Sequence, residues 1–405
     1  MPFEWMVAIR FLREGRFQTL LIVTGVGVGV GVIVFLSALI NGLQASLIER
    51  TLGTQAHVVV RLPDELPRAL LDASDATIVS QRIRPAQRPR SIAGWQQAQA
   101  AIDLLPDVVA SAPTVAGSAF ALRGTASRSV AVRGVDPSRY LRIVRIEKYL
   151  TAGAFHLTGA EAVIGVELAR DLGATIGDKV RLVAAEGRGG AFTVTGVFDL
   201  GNKDLNQRWV FVSLRSAQTM FDLQGGVSTI DLTVTRLFGA EDVAQRIHER
   251  IGLEADSWMK LNSQLLIGLN SQNASSYMIQ TFVIVAVAFG IASVLAVSVV
   301  QKSREIGILR ATGTRRRQIL RIFLIEGGLV GLAGSLLGIA IGAGLAFFFA
   351  RLARNPDGSA TFPVDLNLLL FARSALIATV VGLVSAALPA RRAARLDPVE
   401  VIRYG

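Results

Sequence analysis

The chain has 405 residues, of which 51% are hydrophobic and 18% charged. A soluble domain carries nearer a quarter charged residues, so this composition excludes a wholly soluble enzyme, and the lack of any Cys excludes a disulfide scaffold. The remaining charges are unbalanced, 42 Lys and Arg against 31 Asp and Glu for a net +11. Such an excess could serve nucleic acid, so its placement along the chain decides what it means.

In chain order, the first element is an uncharged stretch from Phe17 to Ile48, 32 residues long. It reads as a membrane helix over 18–41. A cleaved signal peptide is excluded by the length of its core and by three further spans downstream. Gly25, Gly27, Gly29 and Gly31 lie inside it, where no strand precedes them, so they are no dinucleotide fingerprint. Gly27 and Gly31 form a small-xxx-small pair that permits close helix approach. It serves either packing within one chain or contact with a second copy.

A large mixed region follows. Val58–Val60 predicts a short strand, and 63–90, with Pro63, Pro67, Pro85 and Pro89, predicts surface strand and loop. Ser91 reads as the cap of a helix carrying Trp95, Ala98, Ile102 and Leu105, ended by Pro106. Short β-runs are expected at 108–112, 118–123, 129–135, 162–164, 208–212 and 229–234. Helices are expected at 166–172, 214–221 and 240–251. Strands at 179–185 and 191–198 flank Glu186–Gly190, a hairpin signal. The region predicts two α+β lobes, divided near 91–150 against the rest. Residues 258–276 are polar with interspersed Leu and Ile and predict a helical stalk. The uncharged stretches around the first two spans would reach about 48 and 60 Å as helices, against a hydrocarbon core of about 30 Å.

Three more spans are expected at 277–300, 324–350 and 371–390. Gly334, Gly338 and Gly342, with Gly327 and Gly331, repeat the small-residue pattern in the third. The fold class is therefore a four-span α-helical membrane protein with a large α+β extracytoplasmic domain between the first two helices. The segments are 1–48, 49–258, 259–300 (stalk and second span), 301–322 (cytoplasmic loop) and 323–405.

Orientation follows from charge. Residues 1–16, 302–321 and 391–405 together hold +9 of the +11, whereas 49–260 holds only +2. The basic excess alternates with the spans as the positive-inside rule requires. Both termini and the 302–321 loop are expected in the cytoplasm of a multi-pass inner-membrane protein. Nucleic acid is excluded as a partner, because the large domain is nearly neutral.

Catalytic patterns are missing. His57, His156 and His248 are too scattered for a metal site. There is no phosphate-binding G-x-x-x-x-G-K-[ST], nucleophile elbow or H-E-x-x-H. Glu326 stands at the cytoplasmic end of the third span, with a capping or electrostatic role. With no acid inside the spans for proton coupling, energy must come from a partner. The chain is expected to be a non-catalytic subunit with no cofactor or metal of its own.

The loop Gln301–Arg321 predicts an amphipathic helix broken by Gly313, able to lie in the membrane interface or dock into a groove. Its run K-S-R-E-I-G-I-L-R-A-T-G (302–313) and the ending L-P-A-R-R-A-A-R-L-D-P-V-E-V-I-R (388–403) resemble the ATP-binding-cassette permeases that include the lipoprotein-releasing, macrolide-exporter and cell-division permeases. The resemblance covers essentially the whole chain and is nearest to the lipoprotein-releasing members. It implies that Arg304, Glu305, Ile306, Gly307, Ile308, Leu309, Arg310 and Gly313 dock on a cytoplasmic ATPase subunit, which carries ATP and Mg. It further implies a second permease copy or paralogue, contact with membrane lipid, and a periplasmic adaptor or chaperone. Substrate contacts are expected around 36–48 and 266–282. Lipoprotein release is the leading expectation. Adaptor-linked efflux of drugs or peptides, or signalling to a cell-wall hydrolase, are the alternatives. The member that hands cargo to a chaperone has a long hook-bearing hairpin where this chain has only Glu186–Gly190.

Overall fold

The structure is a computed structural model and describes residues 3–63, 91–352, 364 and 366–396. It divides into two compact units, Met1–Ile48 with Ile267–Gly405 and Glu49–Leu266. The expectations for 64–90 and for the chain's last nine residues lie outside the described residues.

The chain opens with α1 (Phe3–Glu14) and α2 (Arg16–Leu52). In lipid a segment must satisfy its backbone internally, which holds the Val- and Gly-rich run of α2 in one helix despite the weak helix propensity of those residues. Next come β1 (Val58–Arg61), β2 (Ile92–Ala93), α3 (Trp95–Asp103), β3 (Val108–Arg123), β4 (Ala126–Val135) and α4 (Pro137–Tyr140). Then follow β5 (Leu150–Gly153), β6 (Glu161–Gly165), α5 (Val166–Leu172), β7 (Lys179–Ala184), β8 (Gly189–Phe198), α6 (Lys203–Arg208) and β9 (Trp209–Ser213). The large domain ends with α7 (Leu214–Met220), β10 (Gly226–Val227), β11 (Thr229–Val234), α8 (Ala240–Ile251), β12 (Glu254–Ser257) and α9 (Trp258–Leu261).

Ten of these strands form one sheet. The predicted division near residue 150 does not occur; the change of architecture falls within β3. The first half of β3 pairs with β11, giving the order β12-β1-β11-β3, and α8 packs on β1 and β12 through Val243, Ala244 and Ile247. The second half pairs with β4 and β7. The pairings β3-β4-β9-β6-β8-β7-β3 close a ring of six strands. Its neighbouring core gathers Tyr140, Phe155, Phe198 and Trp209 around the ring of Phe211. The sequence reads β3 as two strands because Pro113 and Gly117 interrupt its pattern. Gly117 is needed for space, since a Cβ there would lie 2.4 Å from the Phe221 ring.

Two other expectations are corrected. Ser91 does not cap α3; Gly94, with φ of 67° and no side-chain bond, holds the cap position, and Ile92–Ala93 pairs instead with β10. The strand expected at 208–212 begins at Trp209, because Asn202 caps the short α6 by accepting from the Asp204 and Leu205 N–H groups. The hairpin is tight: Ala184 N–H donates to Arg188 O at 2.7 Å between β7 and β8.

The strand after α2 and the strand before α9 are hydrogen-bonded neighbours, Val58 opposite Ser257. Beyond Asn262 the chain continues as α10 (Ser263–Gln301), α11 (Ser303–Ala311), α12 (Arg316–Leu352) and α13 (Leu368–Arg395). Among the described residues four helices, α2, α10, α12 and α13, are long and apolar enough to cross a membrane. Each exceeds its predicted span. The stalk residues from Ser263 onward are the first turns of α10, and α13 continues through Pro389 to Arg395.

Candidate functional site

The segment between α10 and α12 combines a helix, a stop and a restart. α11 ends in a Schellman cap: Gly313 N–H donates to Arg310 O at 3.2 Å, and Thr314 N–H to Leu309 O at 3.0 Å. That cap needs a positive φ at its turning residue, and Gly313 has 103°. α12 restarts with Arg315 N–H donating to Gln318 Oε1 at 2.9 Å.

α11 has two faces. Ile306 and Gly307 are buried, Ile306 in a cluster with Phe11, Ile319, Phe323, Ala390 and Ala393. Leu309 packs against the same cluster, and the Arg310 guanidinium donates to Leu396 O just after α13. Arg304, Glu305 and Ile308 are exposed, Ile308 by 50%. The eight residues grouped by the sequence thus divide. Ile306 and Gly307 seat the helix on its own chain, Gly313 ends it, Leu309 and Arg310 are half-buried at its flank, and Arg304, Glu305 and Ile308 face outward.

The seat includes two features the sequence reading missed. α1 contributes Ala8 and Phe11 to the cluster. Lys302, between α10 and α11, is buried; its Nζ donates to Phe11 O at 2.7 Å and lies 4.1 Å from the centre of the Phe11 ring. Phe11 O, which also accepts the Gly15 N–H at 3.3 Å, belongs to the last turn of α1, where the helix dipole favours a cation. Burial lowers the Lys302 pKa, while the charges of Glu326, Glu305 and Glu14 act in the opposite sense. Glu326 is itself 4% exposed, more enclosed than the interfacial position expected of it. The available signal was the spacing of Val7, Ala8 and Phe11 before the first span, which marks a helix face rather than a tail.

The glycines meet inside the chain. A Cβ on Gly338 would lie 2.6 Å from Gly27 O, and one on Gly342 2.7 Å from Gly31 O. Gly334 faces Val26, and Gly27 faces Leu337. α12 therefore crosses α2 along one glycine row, and crosses α13 along a second through Gly327, Gly331 and Gly382. Farther along, α2 and α10 are joined by Gln44 Nε2 donating to Asn273 Oδ1 at 2.8 Å and Gln280 Nε2 donating to Ser37 Oγ at 3.2 Å.

The three histidines are separate. Val234 N–H donates to His57 Nδ1 at 3.2 Å, His156 Nδ1 lies 3.0 Å from Glu161 Oε2, and His248 Nδ1 lies 3.0 Å from Leu253 O. Among the described residues no group of three or more His, Asp or Glu is placed to hold a metal.

Residues 19–250 match the family model described as the MacB-like periplasmic core domain, and residues 277–398 the one described as the FtsX-like permease C-terminal. The chain is 24% identical over 437 aligned positions to a lipoprotein-releasing system transmembrane protein LolC of Xylella fastidiosa, covering 100% of this chain and 99% of that one. It is 27% identical over 414 positions to a macrolide export ATP-binding/permease protein MacB of an Azoarcus species, covering 97% of this chain and 58% of that one. The crystal structure of the periplasmic region of MacB from Actinobacillus actinomycetemcomitans aligns at 10% identity and a TM-score of 0.34, over 54% of this chain and 95% of that one.

Proposed function

The chain belongs to the family of ABC-transporter permeases that join a MacB-like periplasmic core to an FtsX-like membrane segment, and on that premise we propose that a separate ATPase works through it to extract a lipid-linked or hydrophobic substrate, as in lipoprotein release. The observation that carries the reading is the division of α11. One face is locked into the chain's own core, and the other offers Arg304, Glu305 and Ile308. A helix seated on one face and presenting ion-pairing groups around an apolar centre suits docking into a groove of a cytosolic protein. In this reading ATP and Mg stay on the ATPase, the basic 302–321 loop and both termini face the cytoplasm, and the domain of β1–β12 is periplasmic.

The motion passes from α11 into α10 and α2. Lys302 ties the start of α11 to α1, and the Gln44–Asn273 and Ser37–Gln280 bonds tie α2 to α10. The two helices then act on the domain whose first and last strands pair with each other. A second permease copy or paralogue completes the complex. The tight β7–β8 turn supports a second reading of the hand-off, through a periplasmic adaptor in efflux, since it leaves no long hairpin for a chaperone. The test is whether an ABC ATPase subunit co-purifies with the chain from its native membrane. Arg304→Glu combined with Ile308→Asp should abolish the complex while membrane insertion persists; retention of the complex by the double variant contradicts the proposal.

A further inference from the structure

A cleft opens between α2, α10 and α13, at the end of the helices remote from α11. One part is walled by apolar side chains including Val30, Ile33, Ile284, Val287, Ile377 and Val381. An adjoining part shares Ile33, Gln280, Ser374 and Ile377 with the first and adds Asn41, Asn273, Ser276 and Arg373. Polarity is graded along it. The apolar slot comes first. A hydrogen-bonding band follows, in which Gln280 Nε2 donates to Ser37 Oγ at 3.2 Å and Ser276 Oγ at 3.1 Å. Arg373 stands with the polar part, and among the described residues no carboxylate lines either part.

Arg373 is exposed, five residues beyond the start of α13, and a long basic side chain near the end of a membrane helix reaches toward the headgroups. A phosphate satisfies its guanidinium with two parallel hydrogen bonds. The polar band suits ester carbonyls, and the slot suits hydrocarbon. Free phosphate would fill only the charged end, and an uncharged diacylglycerol only the remainder. We propose that this cleft binds a phosphate-bearing glycerolipid of the bilayer, with one acyl chain in the slot and the phosphate on Arg373. The site is separate from the outward face of α11 and does not depend on what docks there.

The test is native mass spectrometry of the full chain in detergent, titrated separately with phosphatidylglycerol, diacylglycerol and inorganic phosphate. The wild type should retain phosphatidylglycerol roughly fivefold over diacylglycerol, the contribution expected of one interfacial arginine facing an anionic lipid, and should retain no phosphate alone. Arg373→Gln should bring the two lipids to parity, and Arg373→Lys should keep the preference. Equal retention of both lipids by the wild type, or an Arg373→Gln chain that still prefers phosphatidylglycerol, overturns the proposal. A phosphatidylglycerol with a photoreactive acyl chain should label peptides containing Ile284 and Ile377. Label spread evenly onto exposed positions such as Phe289 and Leu336, as for unspecific annular lipid, also overturns it. So does a cleft left unlabelled because a second copy covers it.

Discussion

Lys302 carries more structure than its place in a basic loop implies. Six other basic residues share residues 302–321, and by sequence alone all seven look like charges that set orientation. Lys302 differs because its ammonium is withdrawn from water onto a helix-end carbonyl and an aromatic face. Lys302→Met keeps most of the stem and removes the donor. It should cost about 1.5–3 kcal/mol, the range for hydrogen bonds to charged groups, read as a lower midpoint in thermal unfolding of the detergent-solubilised chain. Lys302→Arg should recover part of the loss. Equal midpoints for wild type and Lys302→Met would mean that α1 is held without this contact.

At the scale of elements, the helix crossings depend on missing side chains. A Cβ on Gly382 would lie 2.3 Å from Gly327 O, a backbone atom that cannot swing away, whereas Gly344 has nothing within 4 Å. Gly382→Ala should therefore destabilise α12 against α13 by about 1–3 kcal/mol, as overpacking does. Gly344→Ala should stay within about 0.5 kcal/mol of the wild type. Chemical unfolding of the two variants distinguishes them, and equal loss in both would contradict the crossing. The glycine rows were legible because their four-residue spacing places them on one helix face. The spans were legible because lipid demands long apolar runs, and β11 and α8 because alternation and amphipathic spacing were clear. Elements that depend on tertiary partners were not legible. α3 starts from a glycine in the left-handed region rather than from Ser91, α6 follows from an Asn cap within one turn, and β3 stays continuous through Pro113 and Gly117 only because other strands and Phe221 hold it. The candidate site was legible as a segment but not as two faces, because the inward choice of Ile306 over Ile308 is set by Phe11 and Phe323, distant in sequence.

For the whole molecule, +9 of the net +11 falls in three short segments that the proposed topology places in the cytoplasm. The densest cluster of this charge surrounds α11, the helix proposed to meet the ATPase, so in this proposal the same residues orient the chain and frame its docking face. The large domain, nearly neutral, is built around a ten-stranded sheet whose entry and exit strands are paired, a construction suited to receiving motion from α2 and α10 together. The central claim is that the outward face of α11 seats an ATPase. The chain's lack of Cys permits a direct measurement: a photoreactive label placed on Ile308→Cys, and separately on Ile306→Cys, in membranes containing the ATPase. The account predicts that the label at 308 crosslinks to the ATPase and the label at 306 stays within the chain. Crosslinking of 308 to lipid alone, or equal capture of the ATPase from both positions, would contradict it.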